Sequence, residues 1–243
     1  MATFYPESRF GGFTDVDGTV AFYNRVASLL SPASTVLDVG CGRGEIMVDD
    51  PVPFRRQVVN LRGRAGRVIG IDVDPVGETN PGLHEFHQIT PDGPWPIDDG
   101  SIDVAVCDNV VEHVEDPPAL FARMRRALKP GGVACIRTPN RWGYVALAAS
   151  AIPNRLHARV TAKVQDDRKE EDVFPTLYRC NSVRAMRRTM NAAGFEATVY
   201  GHSAEPGYLS FSKAAYAAGV LHQRLAPGFL RPALFAFGRV PTE

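Results

Sequence analysis

The sequence predicts an α/β fold, in which a mostly parallel sheet carries helices on both faces. Two observations indicate this architecture. Short runs rich in β-branched and other apolar residues alternate with segments of helical periodicity through most of the chain. The strand-like runs are also almost continuously apolar, which is typical of parallel strands that are buried on both faces.

The alternating elements can be placed in chain order. Pro118–Leu128 sets its apolar side chains on one helical stripe, and the Lys-Pro-Gly-Gly run at 129–132 ends this helix. Asn181 is expected to cap a second helix, which ends at Gly194. The predicted strands are Thr35–Val39, Arg67–Val73, Ile102–Cys107, Gly132–Thr138 and Phe195–Tyr200.

Two regions interrupt the alternation: one precedes the main domain, which we place at residues 34–243, and the other is an insertion within it. Residues 1–33 form an aromatic-bearing, partly helical N-terminal segment, and residues 139–180 form an insertion with a charged run at 166–172. Together they could either cover a substrate or simply pack onto the sheet. For the apolar stretch at 208–237, docking on the sheet is the default expectation, with dimerisation or contact with a membrane surface as alternatives.

Composition excludes several classes of protein. Hydrophobic residues make up 44% and charged residues 22% of the chain, which are ordinary values for a globular protein. The 27 basic residues are balanced by 27 acidic ones, so no general attraction to nucleic acid is expected. There is no secretion signal or membrane-spanning stretch, and the 4 cysteines are too far apart for a disulfide framework or zinc knuckle. We therefore expect a cytoplasmic protein with no metal site and no nucleic-acid partner.

A glycine cluster follows the first predicted strand, at the strand end where open α/β sheets bind their ligands. Gly40, Gly42 and Gly44 allow a tight turn and a close approach to a ligand, which the next amides face from a helix N-terminus. Asp72 comes 28 residues after Gly44, at the end of the second strand. A carboxylate there can accept hydrogen bonds from both hydroxyls of a ribose, so the pattern predicts a nucleotide-like cofactor.

The spacing differs from that of a dinucleotide site. The G-x-G-x-x-G pattern would require glycine at position 45, where this chain has Glu45. An acid in the first turn of the helix would also repel a pyrophosphate. Since Asp38 precedes the loop, we expect a ligand with an amino-acid end, whose ammonium group needs hydrogen-bond acceptors.

In four segments the sequence resembles the class I S-adenosylmethionine-dependent methyltransferases. The segments are VLDVGCGRGE (36–45), VIGIDVDP (68–75), WPIDDGSIDVAVCDNVVEHVEDP (95–117) and LKPGGVACIRTPN (128–140). The resemblance implies a Rossmann-like, seven-stranded, mostly parallel sheet with helices on both faces. It also implies S-adenosylmethionine as the cofactor and a methyltransferase domain over residues 34–243.

The resemblance also assigns roles to individual residues. The Asp38 position orders the loop and contacts the methionine end of the cofactor, while the Asp72 position holds the ribose. Val73 would pack on the adenine, and Asp92 is a candidate for binding the adenine amine. Asn109 would lie near the methionyl moiety. The residues that pass beneath the cofactor are Gly40, Gly42 and Gly44.

One stretch departs from the family pattern. Relatives often reach the ribose carboxylate sooner after the glycine loop, and the extra residues of this chain fall at 49–66. Pro51 and Pro53 are incompatible with a continuous helix in this stretch. We therefore expect a bend or a looped insertion there.

Candidate catalytic residues lie just beyond the third predicted strand. Methyl transfer from a sulfonium is an in-line displacement, in which the protein mainly aligns the acceptor and excludes water. A hydroxyl acceptor also needs a general base, because its pKa is far above neutrality. His113 is the first candidate for that base, and His157 in the insertion is the reserve. The alternative that Glu112 and His113 only organise this turn stays open.

The predicted reaction is O-methylation of a small-molecule or sugar hydroxyl, with N-methylation of a small molecule as the alternative. The strand ends Cys-Asp-Asn-Val at 107–110 and lacks the Asn/Asp-Pro-Pro-Tyr/Phe pattern of enzymes that methylate base nitrogens. Residues 4–26 and the runs at 138–144 and 174–182 are similar to bacterial methyltransferases associated with envelope or exopolysaccharide biosynthesis. This likeness suggests a glycan substrate. Its proposed contacts are Asn140, Arg141, Tyr144, Tyr178 and Arg179.

Two rival functions have some support in the sequence. Residues 15–19 match the D-x-D-G-T motif of haloacid-dehalogenase phosphatases, but no apolar strand precedes them. Asp17 or Thr19 is better explained as the cap of the helix that follows. The second rival is a protein that binds the cofactor without turning it over and serves as a partner or scaffold.

Overall fold

The computed structural model describes residues 2–144, 146 and 175–242, and these build a seven-stranded sheet. The strands are β1 (Thr35–Val39), β2 (Arg67–Asp72), β3 (Glu85–Gln88), β4 (Ile102–Asp108), β5 (Leu128–Pro139), β6 (Glu196–His202) and β7 (Ala233–Arg239). Their order is β3-β2-β1-β4-β5-β7-β6, with β7 antiparallel to both of its neighbours and all other pairs parallel. This confirms the predicted Rossmann-like, mostly parallel fold. The order reverses between β1 and β4, so a ligand crevice is expected at their carboxyl ends.

Helices cover both faces of the sheet. In the described residues they are α1 (Gly18–Ala27), α2 (Glu45–Asp49), α3 (Pro53–Val59), α4 (Pro117–Ala127), α5 (Val183–Ala192) and α6 (Lys213–Leu225). On one face α4 and α5 bury Phe121, Met124 and Met186, and on the other α1 and α3 bury Phe22 and Val58. Because apolar stripes cover the sheet on both sides, its strands carry the continuous apolar runs seen in the sequence.

The N-terminal helix α1 is capped as the sequence predicts. The Asp17 carboxylate accepts a hydrogen bond from the Val20 amide (2.9 Å). Its second oxygen accepts one from Arg55 (2.9 Å), which ties α1 to α3. Asp17 is thus engaged in structural contacts, which favours the capping interpretation over the phosphatase one.

The predicted bend between the glycine loop and Asp72 is present. α2 ends at Asp49, and α3 begins at Pro53. In the turn between them, Asp50 accepts a hydrogen bond from the Val52 amide (2.7 Å) and pairs with Arg55 (2.8 Å). Proline fits the first position of α3 because the first amides of a helix have no intrahelical partner.

The predicted cap of α5 is wrong by one residue. Ser182 is the N-cap, and its hydroxyl accepts a hydrogen bond from the Ala185 amide (3.3 Å). Asn181 is instead fully buried and donates to Thr138 Oγ1 at 2.6 Å. Both residue types can cap a helix, and the tertiary contact with β5 decides which of them does.

Two strands were not predicted from the sequence. β3 lies at an edge of the sheet and is partly exposed, so it has no continuous apolar run. β7 begins within the apolar stretch at 208–237 and ends at Arg239. It is inserted between β5 and β6, so this part of the stretch does dock on the sheet. Within the described ranges, no helix has the length and apolar character needed to cross a bilayer. Most of the insertion at 139–180 lies outside the described residues.

Candidate functional site

The glycine loop after β1 lies directly beside the end of β2. The Gly42 amide donates a hydrogen bond to Asp72 Oδ2 (2.8 Å), and the Gly40 amide donates to the Ile71 carbonyl (2.8 Å). These strands are adjacent and parallel, so their carboxyl ends meet at one edge of the sheet. The two features singled out in the sequence, the loop and Asp72, therefore lie side by side at this edge, where we place the candidate cofactor cleft.

The loop is closed on one side by protein and open on the other. Gly40, Gly42 and Gly44 have φ values of 70°, 47° and 75°, a region that favours glycine. A Cβ on Gly40 would lie 2.3 Å from a Val110 methyl, and one on Gly44 would lie 2.7 Å from Asn80 Oδ1. At Gly42 a Cβ would meet no atom within 4 Å, so the open side of the loop is at this residue.

Asn80 supports the loop, although nothing in the sequence singled it out. It is 6% exposed, and its amide nitrogen donates to the carbonyls of Cys41 (2.8 Å) and Gly42 (3.1 Å). Its Oδ1 accepts from the Gly82 amide (2.9 Å). A lone asparagine in a loop carries no recognisable pattern, so only the tertiary structure reveals this role.

Three carboxylates converge at the ends of β1, β2 and β4. They belong to Asp38, Asp72 and Asp108, and the structure gives Asp38 no hydrogen-bond donor among the described residues. Burial, together with the neighbouring charges of Asp108 and Asp72, raises the pKa of Asp38 to about 7. A carboxylate in this position is stabilised by a cation, so the cleft is suited to a positively charged ligand group.

A buried ion pair fixes the end of β4. Arg137 on β5, 8% exposed, donates to both oxygens of Asp108 at 2.6 Å. Asp108 also accepts from the Tyr23 hydroxyl (3.1 Å), and Arg137 donates to Thr19 Oγ1 (2.8 Å). This network joins α1 to the candidate site through Thr19 and Tyr23. Sequence reasoning named Thr19 only as a possible helix cap and gave Tyr23 no role, because their partners are distant in the chain.

Replacing Arg137 with methionine is expected to destabilise the protein strongly. The substitution leaves the Asp108 carboxylate buried without its partner, which costs about 3–5 kcal/mol. For a chain of this length the melting temperature should fall by roughly 6–20 °C in a thermal unfolding experiment. Arg64, which is exposed, supplies the matched control Arg64→Met, expected to melt like the parent protein. Equal melting temperatures for both variants would contradict the prediction.

The other predicted cofactor residues follow the strands β2, β3 and β4. Val73 follows β2 directly and is 39% exposed. Asn109 follows β4 with a φ of 55°, and its side chain donates to Asp108 Oδ1 (3.1 Å). Asp92 is exposed in the turn after β3, and no contact joins it to the glycine loop within the described residues. Their roles toward a cofactor stay predictions.

His113 is held in a form that can accept a proton. Its Nδ1 lies 2.9 Å from the Pro175 carbonyl, and since a carbonyl can only accept, Nδ1 carries the hydrogen. In the neutral ring Nε2 is therefore the basic nitrogen, and it lies 3.9 Å from Glu112 Oε1. The half-buried position leaves part of the ring accessible.

Glu112 organises the turn that carries His113. The side chain is 3% exposed, accepts from Thr138 Oγ1 (2.8 Å), and has a pKa raised by burial. Its backbone carbonyl accepts from the amides of Leu177 (2.6 Å) and Tyr178 (3.1 Å). A structural role for Glu112 and a chemical role for His113 are thus compatible.

The residues suggested as glycan contacts are only partly accessible. Asn140 is 1% exposed and donates to the carbonyls of Phe229 and Arg231 (2.8 Å each), so it is engaged within the fold. Arg141 is exposed and lies over the Trp142 ring at 5.3 Å. His157, the reserve candidate for the base, lies outside the described residues.

A family model and several named proteins match this chain. The family model described as "Methyltransferase domain" matches residues 18–199. A ubiquinone biosynthesis O-methyltransferase of Pseudomonas paraeruginosa is 32% identical over 115 residues, which are 44% of this chain and 45% of that protein. An uncharacterized 37.1 kDa protein in transposon TN4556 of Streptomyces fradiae is 32% identical over 123 residues, or 45% of this chain and 31% of that one. The matches thus span less than half the length of these relatives.

Solved structures share the fold over most of the chain. One is a chain of the complex between the Haloferax volcanii Trm112 methyltransferase activator and the putative methyltransferase, with a TM-score of 0.59 and 18% identity. That match covers 97% of this chain and 94% of the other. Another is the geranyl diphosphate C-methyltransferase of Streptomyces coelicolor A3(2), solved with S-adenosyl-L-homocysteine, with a TM-score of 0.53, 18% identity and coverage of 91% and 78%.

Proposed function

The chain belongs to the methyltransferase-domain family, and on that basis we propose that it transfers the methyl group of S-adenosylmethionine to a hydroxyl group of a small molecule. S-adenosylmethionine is the cofactor of this class of methyltransferases. The observation that carries the proposal is the cleft formed by the glycine loop, Asp38 and Asp72, which offers acceptors for both ends of this cofactor.

The residues of the cleft fit this cofactor in charge and shape. Asp72 has one oxygen bound to the Gly42 amide and the other to the Asp74 amide (3.0 Å), and each oxygen retains a lone pair for a ribose hydroxyl. Asp38 would accept hydrogen bonds from the ammonium of the methionine end. The exposed side chain of Val73 would cover one face of the adenine, and the open side of the loop at Gly42 leaves room for the chain between them.

The contribution of the protein to the reaction is alignment and proton removal. The bound cofactor supplies a methyl group activated by a sulfonium. The acceptor must approach that methyl in line, near the end of β4, where Asn109 and His113 lie. His113 Nε2 is the basic nitrogen of its ring and would take the proton of the acceptor hydroxyl as the new bond forms.

The class of acceptor is supported by the relatives rather than by the cleft itself. Ubiquinone biosynthesis O-methyltransferases from several bacteria each match 44% of the chain, which supports a hydroxyl as the acceptor. None of the names of these relatives mentions polysaccharide biosynthesis. We therefore propose a small-molecule hydroxyl as the acceptor and keep a sugar hydroxyl as one variant of it. N-methylation of a small molecule and cofactor binding without turnover are its alternatives.

The pH dependence of cofactor affinity provides a test of the role of Asp38. Its carboxyl binds a proton more tightly in the folded protein than in the unfolded one, and a cationic ligand requires the ionised form. Affinity for S-adenosylmethionine should therefore rise by about fivefold between pH 6 and pH 7.5 and fall at higher pH, where the α-amino group of the ligand, with a pKa of about 8, loses its charge. Calorimetry in buffers of different ionisation enthalpy should also detect proton release below pH 7.

The variant Asp38→Asn separates binding from folding. Without ligand, the free energy of unfolding of the protein should fall as the pH rises from the ordinary pKa of an aspartate toward about 7. The reason is that deprotonation of Asp38 is less favourable in the folded protein than in the unfolded one. The asparagine variant should bind the cofactor weakly at every pH yet melt at a higher temperature than the parent at pH 8. A variant with the parental pH dependence of binding would exclude Asp38 as the titrating group.

A methyl-transfer assay tests the proposed reaction directly. Purified protein would be incubated with S-adenosylmethionine carrying a labelled methyl group and separate panels of phenols, nucleotide sugars and small amines. Label on a hydroxyl oxygen supports the proposal, whereas label on nitrogen favours the first alternative. Cofactor binding without label in any panel, including envelope glycan extracts, favours the non-catalytic alternative.

A further inference from the structure

A surface groove near the end of the sheet opposite to β3 combines aromatic and basic side chains. It has a volume of about 670 Å³ and lies between α5, the turn at Trp142 and the short helix Gly228–Leu230. Trp142 and Phe229 are 49% and 59% exposed. The basic residues that line it are Arg184, Arg187 and Arg188.

The arginines of α5 are placed unfavourably for a helix in isolation. Arg184 and Arg188 are one turn apart, where like charges repel, and Arg184 lies in the first turn, where the helix dipole disfavours cations. The helix has no acidic residue, and in the described part of the chain no carboxylate pairs with these two arginines. An anionic surface outside the protein would relieve this repulsion.

Large apolar side chains are exposed on α6, the helix that precedes Gly228–Leu230. Leu221 and Leu225 are 60% and 71% exposed, and both lie on one side of its C-terminal half. The ring of His222 contacts Tyr144 at a centroid distance of 5.3 Å, which brings this half of α6 beside the Trp142 turn. Such a concentration of exposed apolar side chains marks an interaction surface.

The same part of the sequence carries an excess of positive charge. The chain as a whole has 27 basic and 27 acidic residues. Residues 173–242 hold only two acids, Glu196 and Glu205. Their basic residues are Arg179, Arg184, Arg187, Arg188, Lys213, Arg224, Arg231 and Arg239. The exposed apolar side chains thus belong to a part of the sequence that is predominantly basic.

We propose that this surface, made of the groove and the exposed side of α6, docks the protein on an anionic lipid bilayer. Aromatic and leucine side chains would enter the interfacial layer, and the arginines would face lipid headgroups. A soluble protein partner would not require the excess of positive charge, and a second copy of this chain would bring arginine against arginine. The charge distribution therefore favours the bilayer.

Trp142 is a natural reporter for this contact. The chain has 2 tryptophans, and the other, Trp95, is 4% exposed in the core. Vesicles that contain phosphatidylglycerol should shift the emission of Trp142 to the blue, and brominated acyl chains should quench it. Vesicles of phosphatidylcholine alone should have little effect, and inorganic phosphate without vesicles should have none. The signal change should disappear in Trp142→Phe.

Paired substitutions distinguish docking from unspecific attraction. Arg184→Gln/Arg188→Gln should weaken vesicle binding at least about tenfold in a flotation assay. The control Arg9→Gln/Arg64→Gln changes the net charge equally at exposed positions outside the groove and should bind like the parent. Leu221→Gln/Leu225→Gln should weaken binding while the melting temperature stays unchanged.

Three results would overturn the proposal. The first is equal binding to neutral and anionic vesicles, and the second is an equal loss of binding in both arginine double variants. The third is a stable dimer in solution whose Trp142 is already shielded and does not respond to lipid. None of these measurements depends on methyl transfer, so the proposal can fail independently of the enzymatic one.

Discussion

Asp72→Ala is expected to reduce affinity for S-adenosylmethionine by at least about 100-fold, because a carboxylate that binds two ribose hydroxyls contributes about 1.5–3 kcal/mol for each. The substitution also removes the acceptor of the Gly42 amide, so the loop loses its tie to β2. Isothermal titration calorimetry with S-adenosylmethionine and S-adenosylhomocysteine measures this loss directly. Titration with NAD provides the comparison with a dinucleotide.

Two further variants serve as controls for Asp72→Ala. Asp72→Asn keeps an oxygen for the Gly42 amide but removes the charge, so its affinity should fall between those of the parent and the alanine variant. Asp98→Ala changes an exposed acid outside the cleft and should bind normally. Parental affinity in Asp72→Ala, or binding of NAD but neither methionine derivative, would refute the proposed cofactor site.

His113→Asn is expected to lower kcat by about 10²–10⁴-fold with a hydroxyl acceptor, since this is the contribution of a positioned general base. Asparagine can still donate a hydrogen bond to the Pro175 carbonyl, so the local turn should persist. The affinity for the cofactor should be unchanged. The pH profile of the residual activity should lose the limb at which the base becomes protonated.

The same substitution at another histidine serves as a control, because it would reveal any loss of activity that does not depend on the position of His113. His87 on β3 lies 2.6 Å from Glu85 at the edge of the sheet, and His87→Asn should leave kcat unchanged. If His113→Asn instead raised KM without changing kcat or the pH profile, His113 would be a residue that only shapes the turn. That result would support the alternative in which Glu112 and His113 are structural.

Local signals in the chain were sufficient for the central part of the fold. β1, β2 and β4 are apolar runs with a turn signal after each, so their positions could be read to within a residue or two. The same signals failed for β3, which is short and partly exposed, and for β7, which sits in an apolar stretch with no pattern to distinguish it from a helix. The choice of Asn181 over Ser182 as a cap failed for a related reason, because a buried contact with Thr138 outweighs local preference.

What the sequence by itself determined is that the glycine loop and Asp72 lie side by side, since each follows a recognisable strand and parallel strands bring their carboxyl ends together. Only the tertiary structure decided which residues support that cleft. Asn80 reaches the loop across 38 positions of the chain, and Arg137 reaches Thr19 across 118. Such contacts produce no recognisable pattern in the sequence. Hydrogen bonds between distant segments depend on where the folded backbone places the two residues, and not on how far apart these residues are in the chain.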